Sequence, residues 1–108
     1  MSDANELLVV LCTAPDEATA ATLAEGLVEA RLAACVNVIP GLKSYYRWQG
    51  KLEVDSEVQL VIKTRRGRFD ELAAWIQANH PYDVPEIVAL PAERVSKGYL
   101  RWAVEQTS

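Results

Sequence analysis

Apolar residues come in two kinds of block along this chain, unbroken short runs and helically spaced sets. Leu7 to Cys12 is a run with no polar alternation. Its length and β-branched content predict a strand buried on both faces. From about Asp16 to Leu32 the spacing becomes helical, with Ala20, Leu23, Ala24, Leu27 and Ala30 on one face. Pro15, Asp16 and Glu17 supply the start, with proline in the first turn and acids at the positive end of the helix dipole. Gly26 costs this helix up to about 1 kcal/mol against alanine; close packing on a sheet is the expected return. Ala34 to Ile39 predicts a second strand, broken at Pro40-Gly41. Extended chain resumes at Leu42 and runs to Trp48. Gln49-Gly50 then reads as a hairpin turn, with glycine supplying positive φ. The return arm covers Lys51 to Val54 and then Glu57 to Thr64. There Val58, Leu60 and Ile62 alternate with Gln59, Val61 and Lys63.

Arg65-Arg66-Gly67-Arg68 is a basic turn, read as a solvated loop ahead of an anion site. A second helix is predicted from about Arg68 to Asn79, with Phe69, Leu72, Ala73 and Ile76 on one face. His80-Pro81-Tyr82-Asp83-Val84-Pro85-Glu86-Ile87 follows. Two prolines four residues apart break any helix, and each pushes its predecessor to extended geometry. The stretch is a stiff connector, and it carries the single histidine of the chain. Glu86 to Leu90 predicts a fourth strand ended by Pro91, and Tyr99 to Glu105 a short terminal helix with Leu100, Ala103 and Val104 inward. Residues 1–6 are expected to be a flexible N-terminus.

This order is strand, helix, strand, strand, helix, strand, then a terminal helix. It predicts an α+β domain of ferredoxin-like (βαββαβ) topology, an antiparallel sheet with two helices on one face, plus the short C-terminal helix. Each hairpin arm is about 15 residues, or roughly 50 Å at strand rise. A domain of this size has a radius of gyration near about 13 Å, so the hairpin overhangs the body. A two-residue turn sets Trp48 opposite Lys51 and Tyr46 opposite Glu53. The overhanging arm carries Tyr45, Tyr46 and Trp48, and the far face of the sheet is also apolar. Both need cover. Copies packing sheet to sheet and exchanging arms would supply it, so an obligate homo-oligomer with a closed ring is expected, most simply a trimer.

At 108 residues the chain fits one domain with its own core. Its net charge of −4 is spread without a basic block, which excludes nucleic-acid binding as a first expectation. The acidic start and the short first apolar run fit neither a signal peptide nor a membrane span. The cytoplasm is therefore expected, with the two cysteines as free thiols.

Four stretches carry a resemblance. They are Leu11-Cys12-Thr13-Ala14-Pro15-Asp16, the run from Arg31 to Gly41, Tyr46-Arg47-Trp48-Gln49-Gly50-Lys51, and the connector from His80 to Ile87. Together, in order and spacing, they resemble the CutA divalent-cation tolerance family over about residues 7–105. The resemblance implies a cytoplasmic ferredoxin-like homotrimer, similar in architecture to PII-type signalling proteins. It also implies a role in metal-ion tolerance, with copper binding attributed to some members. Cys12 matches the cysteine linked to copper in the family, and His80 the histidine before the first proline of the signature. Asn79 stands where some members have a second histidine, and Trp75 where some have a further cysteine.

Three chemical readings follow. Cys12 and His80 form the metal reading, for copper or another divalent cation, because thiolate and imidazole suit such ions. Antiparallel pairing of the first and fourth strands would bring them together, with Asp83, Glu86 or a neighbouring chain completing the shell. Cys12 as a buried structural thiol is the competing reading, and Cys35 is read as core. The second reading is an inter-subunit cleft in which Trp48, Lys63, Tyr82 and Glu86 line a pocket for a small anion or metabolite. Its competitor is a set of buried, paired interface residues, with Lys63 and Glu86 compensating each other. The third is a Cys/His nucleophile; no oxyanion hole or third member accompanies it, and no enzyme is expected.

Overall fold

The computed structural model describes residues 3–108. The elements are β1 (Leu7–Ala14), α1 (Glu17–Glu29), β2 (Cys35–Trp48), β3 (Lys51–Arg65), α2 (Phe69–Asn79), β4 (Val88–Pro91) and α3 (Lys97–Gln106), with a single 3₁₀ turn at Arg66–Arg68. The sheet order is β2-β3-β1-β4 with antiparallel neighbours throughout. The predicted topology is thus the observed one. β1, paired on both sides within the sheet, is buried along most of its length.

Leu8, Val10, Cys12 and Ala14 project from one face of β1. With Leu60 and Ile62 of β3 they meet Ala20, Leu23 and Leu27 of α1 and Leu72 and Ile76 of α2 in the main core. Leu7, one position out of phase, belongs to a second cluster with Ala34 and Ala103 of α3. Successive strand residues point to opposite faces, so α3 covers a corner of the face that α1 and α2 leave open. The two helices expected on one face, α1 and α2, lie there, and the terminal helix packs on the other.

Several boundaries also move, each for a local reason. Pro15 lies outside α1; Asp16 is the cap, its carboxylate accepting the Thr19 N–H at 2.7 Å. That bond holds its pKa below the usual value. α1 stops at Glu29 because Arg31 turns left-handed, at φ 59°, and the N–H groups of Leu32 and Ala33 fold back onto the Leu27 carbonyl. β2 is not broken at Pro40-Gly41. It runs through a register irregularity between Ile39 and Leu42, where Gly41 takes φ 87°. β3 likewise runs unbroken. β4 begins two residues later than predicted and includes Pro91, which an edge strand tolerates.

The hairpin turn is as read: Gln49 and Gly50 have φ of 51° and 80°, Trp48 pairs with Lys51, and Tyr46 with Glu53. The molecule measures 45 × 24 × 24 Å with a radius of gyration of 14.4 Å, larger than an equidimensional body because of this arm. Leu52 and Tyr45 are 71% and 70% exposed on it. The expected flexible N-terminus falls partly on Met1 and Ser2, which lie outside the described residues. Ala4 and Glu6 accept backbone hydrogen bonds from Gly67 and Arg66. No helix among the described residues is long and apolar enough to cross a membrane.

Candidate functional site

The connector after α2 docks on the end of β1. β4 pairs with β1 only as far as Leu11, so the last residues of β1 have no strand partner on that side. His80 takes its place. Its ring Nε2 lies 2.7 Å from the Thr13 carbonyl oxygen, and its Nδ1 accepts the Tyr82 N–H at 3.1 Å. With Nδ1 accepting, the ring carries its proton on Nε2 and donates it to Thr13. The Cys12 carbonyl next door accepts from the Gln59 amide at 2.8 Å. Cys12 points the other way, into the core, with no exposed surface. Its Sγ makes one weak contact, 3.7 Å to the Thr13 carbonyl.

The Cys12 thiol and the His80 ring, the two residues of the metal reading, both reach the Thr13 carbonyl. The donor chemistry is another matter. Both imidazole nitrogens are occupied by backbone. Burial, and then the nearby Glu86 and Glu57 carboxylates, push the Cys12 thiol up to about 12, whereas the thiolate is the ligand form. Among the described residues, no three His, Cys, Asp or Glu side chains are grouped to hold one ion. As folded, these residues do not fit a resident copper ion.

Beside His80 the connector and the hairpin arm, out to Trp48 beside its turn, line an open cleft of about 610 Å³. Tyr45, Tyr46, Trp48 and Tyr82 supply its aromatic surface, and Glu57, Asp83 and Glu86 its charge. Glu57 is 8% exposed. It is held by the Tyr82 phenol, which donates to its Oε2 at 2.6 Å. The Tyr82 ring leans on His80, centroids 4.6 Å apart. Burial and the bond to Glu57 raise the Tyr82 phenol well above its usual value. Tyr46 donates to Asp55 and is pushed up to about 12, chiefly by that bond.

Three of the four predicted cleft residues, Trp48, Tyr82 and Glu86, line this cleft. Lys63 does not. It faces Val9 and Cys35 in the ladder and donates to Asn37 Oδ1 on the open sheet face, so the expected Lys63–Glu86 compensation is not made within the chain. Glu57 was missed. In the sequence it reads as the polar start of an alternating strand, and only the fold shows Tyr82 above it.

The basic turn also departs from its reading as a solvated loop. Arg65 Nη2 and Arg68 Nε donate to the Thr107 carbonyl at 2.8 and 2.9 Å, and Arg65 Nε to the Thr107 hydroxyl at 3.1 Å. Arg31 reaches the Glu105 and Gln106 carbonyls. These guanidinium groups cap the negative end of α3.

Comparison with known proteins matches this sequence and this fold. The model of the CutA1 divalent ion tolerance protein family matches residues 8–106. The divalent-cation tolerance protein CutA of Thermus thermophilus is 52% identical over 99 residues, spanning 92% of this chain and 96% of its own. The crystal structure of CutA1 from Oryza sativa superimposes with a TM-score of 0.94 at 41% identity, covering 99% of this chain and 98% of that one. The periplasmic divalent cation tolerance protein CutA from Archaeoglobus fulgidus gives a TM-score of 0.92 at 38% identity, over 94% and 99% of the two chains. With nearly its whole length matched, the chain belongs to the CutA1 divalent ion tolerance protein family.

Proposed function

We propose that this chain serves divalent-cation tolerance as a cytoplasmic homotrimer, binding a small ligand in the cleft between hairpin and connector. The observation that carries the reading is the Glu57–Tyr82 pair. A nearly buried carboxylate is held by a phenol in the wall of an open cleft, beside an arm that leaves the body. Ligand sites are concave, largely apolar surfaces with a few placed polar groups, and this cleft has that make-up. The trimer is supported by apolar surface left uncovered in the single chain. Val88, Leu90 and Ile39 are about half exposed on the open sheet face, and Leu52 and Val54 are exposed on the arm. The cytoplasm is supported by the two free cysteines. On this reading Cys12 and His80 hold the cleft wall in place; neither acts as a nucleophile.

A second reading keeps weak copper binding at Cys12 and His80. It is favoured by their convergence on the Thr13 carbonyl, and it requires the ring to leave that carbonyl and the thiol to lose its proton. Light scattering and a copper titration test both. A particle of three 12.0 kDa chains, with a copper-dependent melting shift equal in parent, Cys12→Ser and His80→Gln, is the expected result. A monomer at micromolar concentration overturns the trimer, and a copper shift abolished by both substitutions restores the metal reading.

A further inference from the structure

The lining of the cleft specifies the charge of its ligand. Glu57, Asp83 and Glu86 contribute carboxylates, and among the described residues that line it there is no lysine, arginine or histidine. Asp55 stands just behind, accepting from Tyr46. The field is felt by its neighbours: Glu57 and Asp55 contribute to raising the Tyr82 phenol, after burial, and Glu86 and Glu57 to raising the Cys12 thiol, again after burial. An anion would meet repulsion here from every charged group. The expectation of an anionic ligand rested on Lys63, which is elsewhere.

The cation that fits is not a compact metal ion. A divalent ion needs several oxygen or nitrogen ligands converging at bonding distance, and no such group of side chains is present among the described residues. The remaining wall is aromatic. Tyrosine and tryptophan faces attract weakly hydrated cations and cover methylene chains, whereas a strongly hydrated ion keeps its water. Glu57 is nearly buried and held by one phenol, so its remaining acceptor capacity suits a charge-assisted bond from an ammonium group.

We propose that the cleft binds a protonated alkylamine, its ammonium ends on the Glu57, Asp83 and Glu86 carboxylates and its methylenes over Tyr45, Tyr46 and Trp48. This deepens the cleft reading above and rests on it. Three probes of similar reach or charge separate the possibilities by calorimetry on the intact assembly. They are 1,4-diaminobutane, the uncharged 1,4-butanediol, and magnesium chloride at matched ionic strength.

The expected result is saturable binding of the diamine at least tenfold tighter than of the diol or magnesium. Glu57→Gln keeps an acceptor for Tyr82 but removes the charge, and should weaken the diamine about tenfold. Asp83→Asn, on an exposed connector residue that lines the cleft, should weaken it several-fold without threatening the fold. If the diol or magnesium binds as well as the diamine, the amine proposal falls and the cleft reading stands. If none of them binds, or binding ignores both substitutions, the cleft is filled by a neighbouring copy or is inert, and both fall.

Discussion

His80 donates through Nε2 to the Thr13 carbonyl, 2.7 Å away, and so fastens the connector to the open end of β1. The contact joins residues 67 positions apart. It closes the edge of β1 where β4 has ended, and it fixes where Tyr82 and Glu57 meet.

His80→Ala should therefore act on stability. It leaves the Thr13 carbonyl, in a residue only 8% exposed, with no donor but the weak Cys12 thiol, and the Tyr82 N–H without its acceptor. Burying an unsatisfied backbone group costs about 1–3 kcal/mol. Urea unfolding should show a loss of that order. His80→Gln can restore one of the two bonds and should lose less. Equal stability of His80→Ala and parent would mean the bond does not hold the connector.

Alkaline pH should weaken the fold through Cys12. The unfolded thiol ionises near 9.0, whereas the folded one stays protonated to about 12. Between these values the folded state holds the extra proton, so stability falls as pH rises, by at most about 1.4 kcal/mol per unit. Tyr82 and Tyr46, also raised, act in the same direction above 10.0. Cys12→Ala removes the thiol contribution. Comparing chemical denaturation at pH 7.5 and 10.5, the variant should lose less than the parent. An identical loss in both would exclude Cys12 as a source.

The sequence exposed most of the fold because its local signals agree with one another. Gln49-Gly50 fixed the turn, the turn fixed the register from Trp48 and Lys51 outward, and the unbroken apolar run from Leu7 marked the central strand. Pro40-Gly41 misled because proline and glycine read as a break, while an edge strand absorbs both in a bulge. The candidate site was half legible. His80 and Cys12 could be juxtaposed from strand pairing alone. That both ring nitrogens serve backbone, that Glu57 meets Tyr82 and that Lys63 turns to Asn37 are tertiary facts, and no spacing rule encodes them.

The C-terminus should matter more than its position suggests. Thr107 is fully buried. Its hydroxyl donates to the Ala103 carbonyl at 2.8 Å and accepts from Arg65, while its own carbonyl takes Arg65 and Arg68. Thr107→Val keeps the shape and the carbonyl but strands the Arg65 Nε–H. A loss of about 1–3 kcal/mol is expected, whereas Ser108→Ala, on the exposed last residue, should cost little. Hydrogen exchange of α3 amides checks the location: protection should fall there before it falls in β1. Uniform loss across the sheet would place the defect elsewhere.

Gly26→Ala sets helix propensity against packing. On propensity alone the change should stabilise α1 by up to about 1 kcal/mol. The structure corrects the expectation that Gly26 serves packing on the sheet: a Cβ at this position would stand 2.3 Å from Cζ2 and 2.4 Å from Cη2 of Trp75. The glycine thus receives the indole of α2, and the two helices approach through it. Trp75 belongs to the shell packed on the main core, so its ring cannot swing away without exposing apolar surface. Overpacking of this kind costs about 1–3 kcal/mol, which exceeds the propensity gain. Net destabilisation is expected for Gly26→Ala. Trp75→Leu frees the space, so in that background Gly26→Ala should become neutral or stabilising. The non-additivity of the pair, measured by a double-mutant cycle, is the decisive quantity. Additive effects would show that Gly26 and Trp75 do not compete for the same volume.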